Sequence, residues 1–188
     1  MTQFQDKYRI ESTRWIEWDY SQSGPYFVTI CTARMACCLG NIVSRSVKLS
    51  RWGVIVQEEW LRTPEIRPGI SLDVFAIMPN HFHAIIAIAN ESKGLGSLVE
   101  THSNASSDLE SRNRFGPQQR NLASAIRGFK GAAARRIHSA GFSDFAWQAR
   151  FYDHVIRNEK ALDEIREYIL ENPVKWESDR ENPEGLFC

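Results

Sequence analysis

Residues 71–89 read SLDVFAIMPNHFHAIIAIA. Two apolar, β-rich runs, 71–79 and 81–89, meet at Pro79-Asn80, a dipeptide that marks a turn. The pattern predicts two strands joined as an antiparallel hairpin. The same stretch raises a chemical question. Two of the five histidines, His81 and His83, stand at the mouth of the second strand with Phe82 between them. Residues i and i+2 of a strand share a face, about 6.6 Å apart. Both imidazoles can therefore converge on one divalent ion, while Phe82 points the other way. Imidazole pairs suit Zn, Mn and related ions, and a mixed nitrogen–oxygen site with waters also accommodates Mg. Read alone, H-x-H also describes two unrelated polar residues at a strand start.

Outward from this hairpin the elements alternate. GPYFVTICT (24–32) reads as a buried strand. NIVSRSVKLS (41–50) reads as a small hairpin, or as one strand with its turn, around Ser44-Arg45-Ser46. In RWGVIVQEEWLRT (51–63), Trp52, Ile55, Val56, Glu59 and Trp60 fall at helical spacing, so a helix is expected to end before Pro64. QRNLASAIRGFKGAAARRIHSAG (119–141) carries an apolar stripe of Leu122, Ile126, Phe129, Ala133 and Ile137, with Gly141 as terminator. WQARFYDHVI (147–156) reads as a strand with an aromatic lead-in. NEKALDEIREYILENPVKW (158–176) reads as a helix capped by Asn158 and stopped by Pro173. The expected fold class is α+β, an antiparallel sheet with helices packed on it. A single domain is expected over 1–188, with a mobile loop at 91–117 and a tail from about residue 176.

Composition narrows the class. With 43% hydrophobic and 24% charged residues the chain is ordinary globular protein. No apolar run reaches the roughly 20 residues of a membrane span, and the N-terminus lacks the order of a signal peptide. Cys31, Cys37, Cys38 and Cys188 form no C-x-x-C pair, so a cytoplasmic protein with reduced thiols is expected. Net charge is zero but unevenly spread. Nine Lys/Arg and two Asp/Glu lie within 112–157, while four and nine lie within 158–188. A block of this kind can neutralise nucleic-acid phosphates even in a neutral protein. It is also what a solvated helix face looks like. Arg127, Lys130, Arg135, Arg136 and Arg150 are its candidate DNA contacts.

A two-histidine site needs a further ligand and a group to activate. Tyr168 and Asn172 stand at i and i+4 of the last helix and so share a face. Asn supplies a hard oxygen ligand, and Tyr supplies a nucleophile where its phenolate is stabilised. Read alone, Tyr168 is also the kind of aromatic ring that packs against a core.

These residues match a known family. PYFVTICT, FAIMPNHFHAIIAI, AIRGFK, AWQARFYDHVIRNEKALDEIREYILENPVKW and RENP occur in the order, and with the content, that resembles the single-tyrosine HUH transposases, in particular the REP-associated tyrosine transposase branch. The resemblance implies a ferredoxin-like or RRM-like sandwich with His81-Phe82-His83 on a central strand. It implies Tyr168 as the nucleophile, and His81, His83 and Asn172 as ligands of Mg or Mn. It implies cleavage of single-stranded or hairpin DNA, including palindromic repeats, through a 5′-phosphotyrosine. His154, near the tyrosine helix, takes a supporting role. The loop at 91–117 matches no motif of the family. A domesticated hairpin-binding relative without cleavage, and a small metallohydrolase of another substrate, are the alternative readings. A nucleoid-associated location follows from the DNA partner; monomer and homodimer both remain open.

Overall fold

The computed structural model describes residues 3–4, 7–8, 23–89, 121–178 and 182 of the chain. The loop expected at 91–117, and the tail beyond 178 apart from Asn182, lie outside the described residues. In chain order the elements are β1 (Gln3–Phe4), β2 (Lys7–Tyr8), β3 (Gly24–Cys31), β4 (Gly40–Val43), β5 (Ser46–Leu49), α1 (Arg51–Leu61), α2 (Thr63–Ile66), β6 (Ile70–Ile77), β7 (His81–Ile88), α3 (Leu122–Ser139), β8 (Tyr152–Val155) and α4 (Glu159–Glu171). β1 pairs with β2, and β4 with β5. The other four strands form one sheet in the order β6-β7-β3-β8, each neighbour antiparallel. Around that sheet β3, α1, β6, β7, α3 and β8 follow one another as βαββαβ, the ferredoxin-like arrangement.

Alternation along the strands builds two cores. Tyr26, Val28 and Ile30 of β3, with Phe82, Ala84 and Ile86 of β7, meet Trp52, Val56 and Trp60 of α1 and the whole expected stripe of α3. Phe27 of β3 and Ile85 of β7 point to the other face and meet Ile169 of α4. The sheet is thus covered on one side by α1 and α3 and on the other by α4. β7 is central and buried on both faces, which explains its near-continuous apolar sequence.

Phe82 does what its place between the histidines demands. Its ring lies 4.9 Å from Trp60 and 5.5 Å from Phe129, centroid to centroid, and those two are 5.0 Å apart. Phe82→Ala should cost about 3–5 kcal/mol in chemical denaturation, because this fully buried ring leaves a cavity between sheet and helices.

The helix ends follow local chemistry. Ser50 Oγ accepts from the backbone N–H groups of Trp52 and Gly53, and donates to the Cys38 carbonyl at 2.6 Å. Gly53 is required by proximity: a Cβ there would lie 2.0 Å from the Leu39 carbonyl oxygen. Asn121 and Ser124 form a reciprocal capping box on α3. At its other end Gly141, at φ 100°, closes a Schellman motif: Gly141 N–H donates to His138 O and Phe142 N–H to Ile137 O. The 41–50 segment is a hairpin, with Ser44 and Arg45 at positive φ in its turn.

The strand expected over 147–156 is shorter than its sequence suggests. β8 covers only Tyr152–Val155, and Trp147 makes an isolated bridge to Thr32. The carbonyls of Gln148, Ala149 and Arg150 turn instead to Lys130 Nζ, at 2.6, 3.3 and 3.5 Å. A cation drawing three successive carbonyls to one point is incompatible with their alternation in a ladder.

Candidate active site

The turn at Pro79-Asn80 is buried, and both of its carbonyls accept hydrogen bonds from the chain that follows β3. Thr32 donates both its N–H and its hydroxyl to Asn80 O, at 2.8 and 2.9 Å, and Leu39 N–H donates to Pro79 O. The turn fixes the start of β7 and with it His81. His81 and His83, 0% and 3% exposed, face α4 with ring centroids 4.5 Å apart.

Each imidazole is oriented through Nδ1. His81 Nδ1 lies 2.8 Å from Asn80 Oδ1, and since a carbonyl oxygen only accepts, this nitrogen carries the proton. His83 Nδ1 lies 2.8 Å from Thr29 Oγ1. Hydrogen bonds of this kind set tautomer and ring angle, and in His81 they put the lone pair on Nε2. Burial, and then the neighbouring His81, hold the His83 pKa well below the ordinary imidazole value. His83 is therefore neutral at physiological pH, the form that ligates a metal.

α4 brings the other groups. Tyr168 Oη is 3.4 Å from His83 Nε2, although 85 residues separate them in sequence. Its ring lies 5.3 Å from that of His83 and 6.0 Å from that of Phe27. Tyr168 remains 45% exposed, so a large substrate can reach it. Asn172, the C-cap of α4, is buried, and its Oδ1 makes no hydrogen bond among the described residues. In sequence Asn172 stands four residues after Tyr168, which lies against His83, and four before Trp176, whose ring lies 5.9 Å from His81. Among the described residues no three His, Cys, Asp or Glu side chains could hold a metal together. Two neutral-capable imidazoles and a buried amide oxygen lacking a donor nevertheless fit a divalent ion of the Mg or Mn type.

An ion pair ties α4 to β6. Arg166 Nε and Nη2 donate to Asp73 Oδ2 at 3.1 and 2.6 Å. Asp73 sits where the β6–β7 register shifts, between Leu72 and Phe75, a bulge that re-aims side chains. Hydrogen bonding from Arg166 holds the Asp73 pKa below the usual carboxylate value. The pair therefore contributes above the unfolded carboxylate pKa and is lost as pH falls through the lowered folded one. Asp73→Asn should slow the site's reaction several-fold at neutral pH with little change in melting temperature, because Tyr168 stands two residues from Arg166. Kinetics compared with thermal melts check this.

The basic candidates divide. Arg136 bonds Glu58 at 2.5 Å and Glu59 at 2.8 Å, joining α3 to α1. Lys130 clamps the carbonyls before β8. Both side chains are engaged by partners that another element supplies, three carbonyls for Lys130 and two carboxylates for Arg136. Arg127, Arg135 and Arg150 are exposed, and the first two ride on α3, across the sheet from the histidines. Arg136→Ala should lower the melting temperature, because the link from α3 to α1 is lost, and thermal melts check this. His154 is exposed on β8, paired in register with Phe27 and hence on the histidine face.

Sequence reasoning missed Thr29, Asn80, Phe27 and Trp176. Asn80, beside His81 in a turn dipeptide, carried a signal; the others are selected by strand pairing and by how α4 continues.

A ferredoxin-like sandwich with a histidine pair facing a helix tyrosine is the class that fold and site define. The chain belongs to one family with an uncharacterized protein of Haemophilus influenzae, 33% identical over 172 residues, covering 90% of this chain and 91% of that one. The fold also recurs in a solved REP-associated tyrosine transposase bound to a REP hairpin. That likeness has a TM-score of 0.57 at 20% identity, over 89% of this chain and 74% of the other, and it is a likeness of fold. It agrees with the resemblance read from the sequence. No family model matches the chain. Among the described residues no helix is long and apolar enough to cross a membrane.

Proposed function

We propose that this chain is a metal-dependent single-stranded DNA endonuclease and strand transferase of the transposase kind, acting on hairpin or repeat DNA. The observation that carries this reading is the tyrosine hydroxyl of α4 beside Nε2 of His83, within a single chain. His81, His83 and Asn172 would hold the divalent ion, Mg or Mn. When bound, that ion supplies Lewis acidity at the scissile phosphate. Tyr168 Oη attacks phosphorus in line. The Oη–P bond forms as the P–O3′ bond breaks, the tyrosine proton is given up, and the 3′ oxygen leaves as a hydroxyl. The product is a 5′-phosphotyrosine. Attack by a later 3′-OH reverses the exchange on a new strand, with the phosphodiester energy retained in the protein–DNA bond. Hairpin DNA as the partner is supported by the fold shared with the hairpin-bound transposase.

The test is a 5′- and 3′-labelled single-stranded oligonucleotide carrying a palindromic hairpin, incubated with Mn. A covalent adduct mapped by mass spectrometry to Tyr168 is the expected result. A mobility shift without any adduct would instead identify a hairpin-binding protein. Hydrolysis without a protein-linked product would identify a metallohydrolase.

A further inference from the structure

We propose that Tyr152, with His154 beside it, is the base-stacking platform of this site, positioning an unpaired base of the strand whose phosphate lies at the histidines. The proposal rests on the nucleic-acid reading above and names residues on which a base is held.

The register of β3 and β8 places both residues. Thr29 pairs with Tyr152 and Phe27 with His154. Thr29 and Phe27 both face α4, since one bonds His83 Nδ1 and the other stacks on the His83 ring at 5.4 Å and 26°. Cross-strand partners share a face, so Tyr152 and His154 project on the histidine side. Phe27 links the groups: its ring meets that of Tyr168 at 6.0 Å and that of Tyr152 at 6.4 Å, both edge-on. A row of rings thus runs from the reactive hydroxyl to the sheet margin.

Among the described residues that margin is open. β8 is an edge strand, and the Tyr152 side chain is 50% exposed while Phe27 beneath it is buried. β8 lies two strand spacings from β7, about 10 Å. One nucleotide spans such a distance from its phosphate to its base. An aromatic face half in solvent, backed by a buried ring, offers every base a π-surface irrespective of sequence. It carries no formal cation, so its contribution should not depend on counterion release. A tyrosine that only packs on Phe27 would change stability and nothing that depends on bases.

The experiment measures fluorescence anisotropy of labelled oligo(dT), and of an abasic strand of equal length, without divalent metal. The parent should bind oligo(dT) more tightly than the abasic strand. Tyr152→Ala should weaken oligo(dT) binding roughly ten-fold, leave abasic binding and the salt slope unchanged, and so erase the preference. Tyr152→Phe and Tyr152→Trp should retain it, and Tyr152→Phe should still form the adduct. A parent without base preference, or a Tyr152→Ala protein that keeps it or weakens both strands alike, overturns the platform. The nuclease reading fails separately: a parent that forms no adduct yet shows a Tyr152-dependent base preference keeps the platform and loses the chemistry.

Discussion

Tyr168→Phe is expected to bind DNA as the parent does and to form no covalent adduct. The substitution removes one oxygen and keeps the ring, whose contacts with Phe27 and His83 are made by its faces and edges. The residue is 45% exposed, so little buried hydrogen bonding is lost and the melting temperature should barely move. The chemistry, in contrast, has no substitute. A free tyrosine has a pKa near 10, so only about one in a thousand is phenolate at neutral pH. Attack on phosphorus must therefore be assisted where the proton leaves, by the charge of the divalent ion that His81, His83 and Asn172 would hold or by transfer to base or water. Losing the nucleophile should reduce cleavage on the order of 10⁴-fold or more, to the floor of the assay. Adduct persisting in the variant, or mapping to Tyr152 in the parent, would remove Tyr168 from the reaction and with it the role given to Asn172.

The second large effect is at His83. His83→Ala, like His81→Ala, should abolish Mn-dependent cleavage, and the loss should be visible first as lost Mn binding in calorimetry. Thr29→Val is the milder probe. It leaves the imidazole and removes the group at 2.8 Å that orients it, so Mn affinity should fall about 10–100-fold. Because His83→Ala also empties a buried position, His83→Asn serves beside it as the variant that keeps polarity and much of the volume. The pH dependence carries a sign. Burial and His81 lower the His83 pKa, so the ring stays neutral, and ready to ligate, at pH values where an ordinary histidine is protonated. Mn binding through this ring should therefore persist below about pH 6.5. The metal-free protein pays for that neutrality in stability: its unfolded chain takes up a proton there that the folded chain refuses. Stability should fall as pH drops below the unfolded value, toward the lowered folded one, and His83→Asn should flatten that slope. A parent whose Mn affinity collapsed at pH 6.5, or a His83→Ala protein cutting at the parental rate, would show the ligand set to be misassigned.

What the sequence determined by itself is local. Pro79-Asn80 between two β-rich runs specified the hairpin, since a turn and a change of period are properties of neighbouring residues. Alternation put His81 and His83 on one face and Phe82 on the other. The 3.6-residue period gave the three long helices and the shared side of Tyr168 and Asn172, and Asn158 and Gly141 marked two of their ends. What only the tertiary structure decided is which face meets which element. β7 is apolar on both sides, so its sequence does not say that α1 and α3 cover Phe82 while α4 covers the histidines. That choice brings Tyr168 to His83 across 85 residues, sets Trp176 near His81, and puts Tyr152 on the same surface. Charge is subject to the same limit. Lys130 and Arg136 look like their exposed neighbours in sequence, but their partners are three carbonyls before β8 and two carboxylates on α1. A side chain's type and spacing fix where it points along its own element. Whether a partner waits there depends on long-range packing, which no local period encodes.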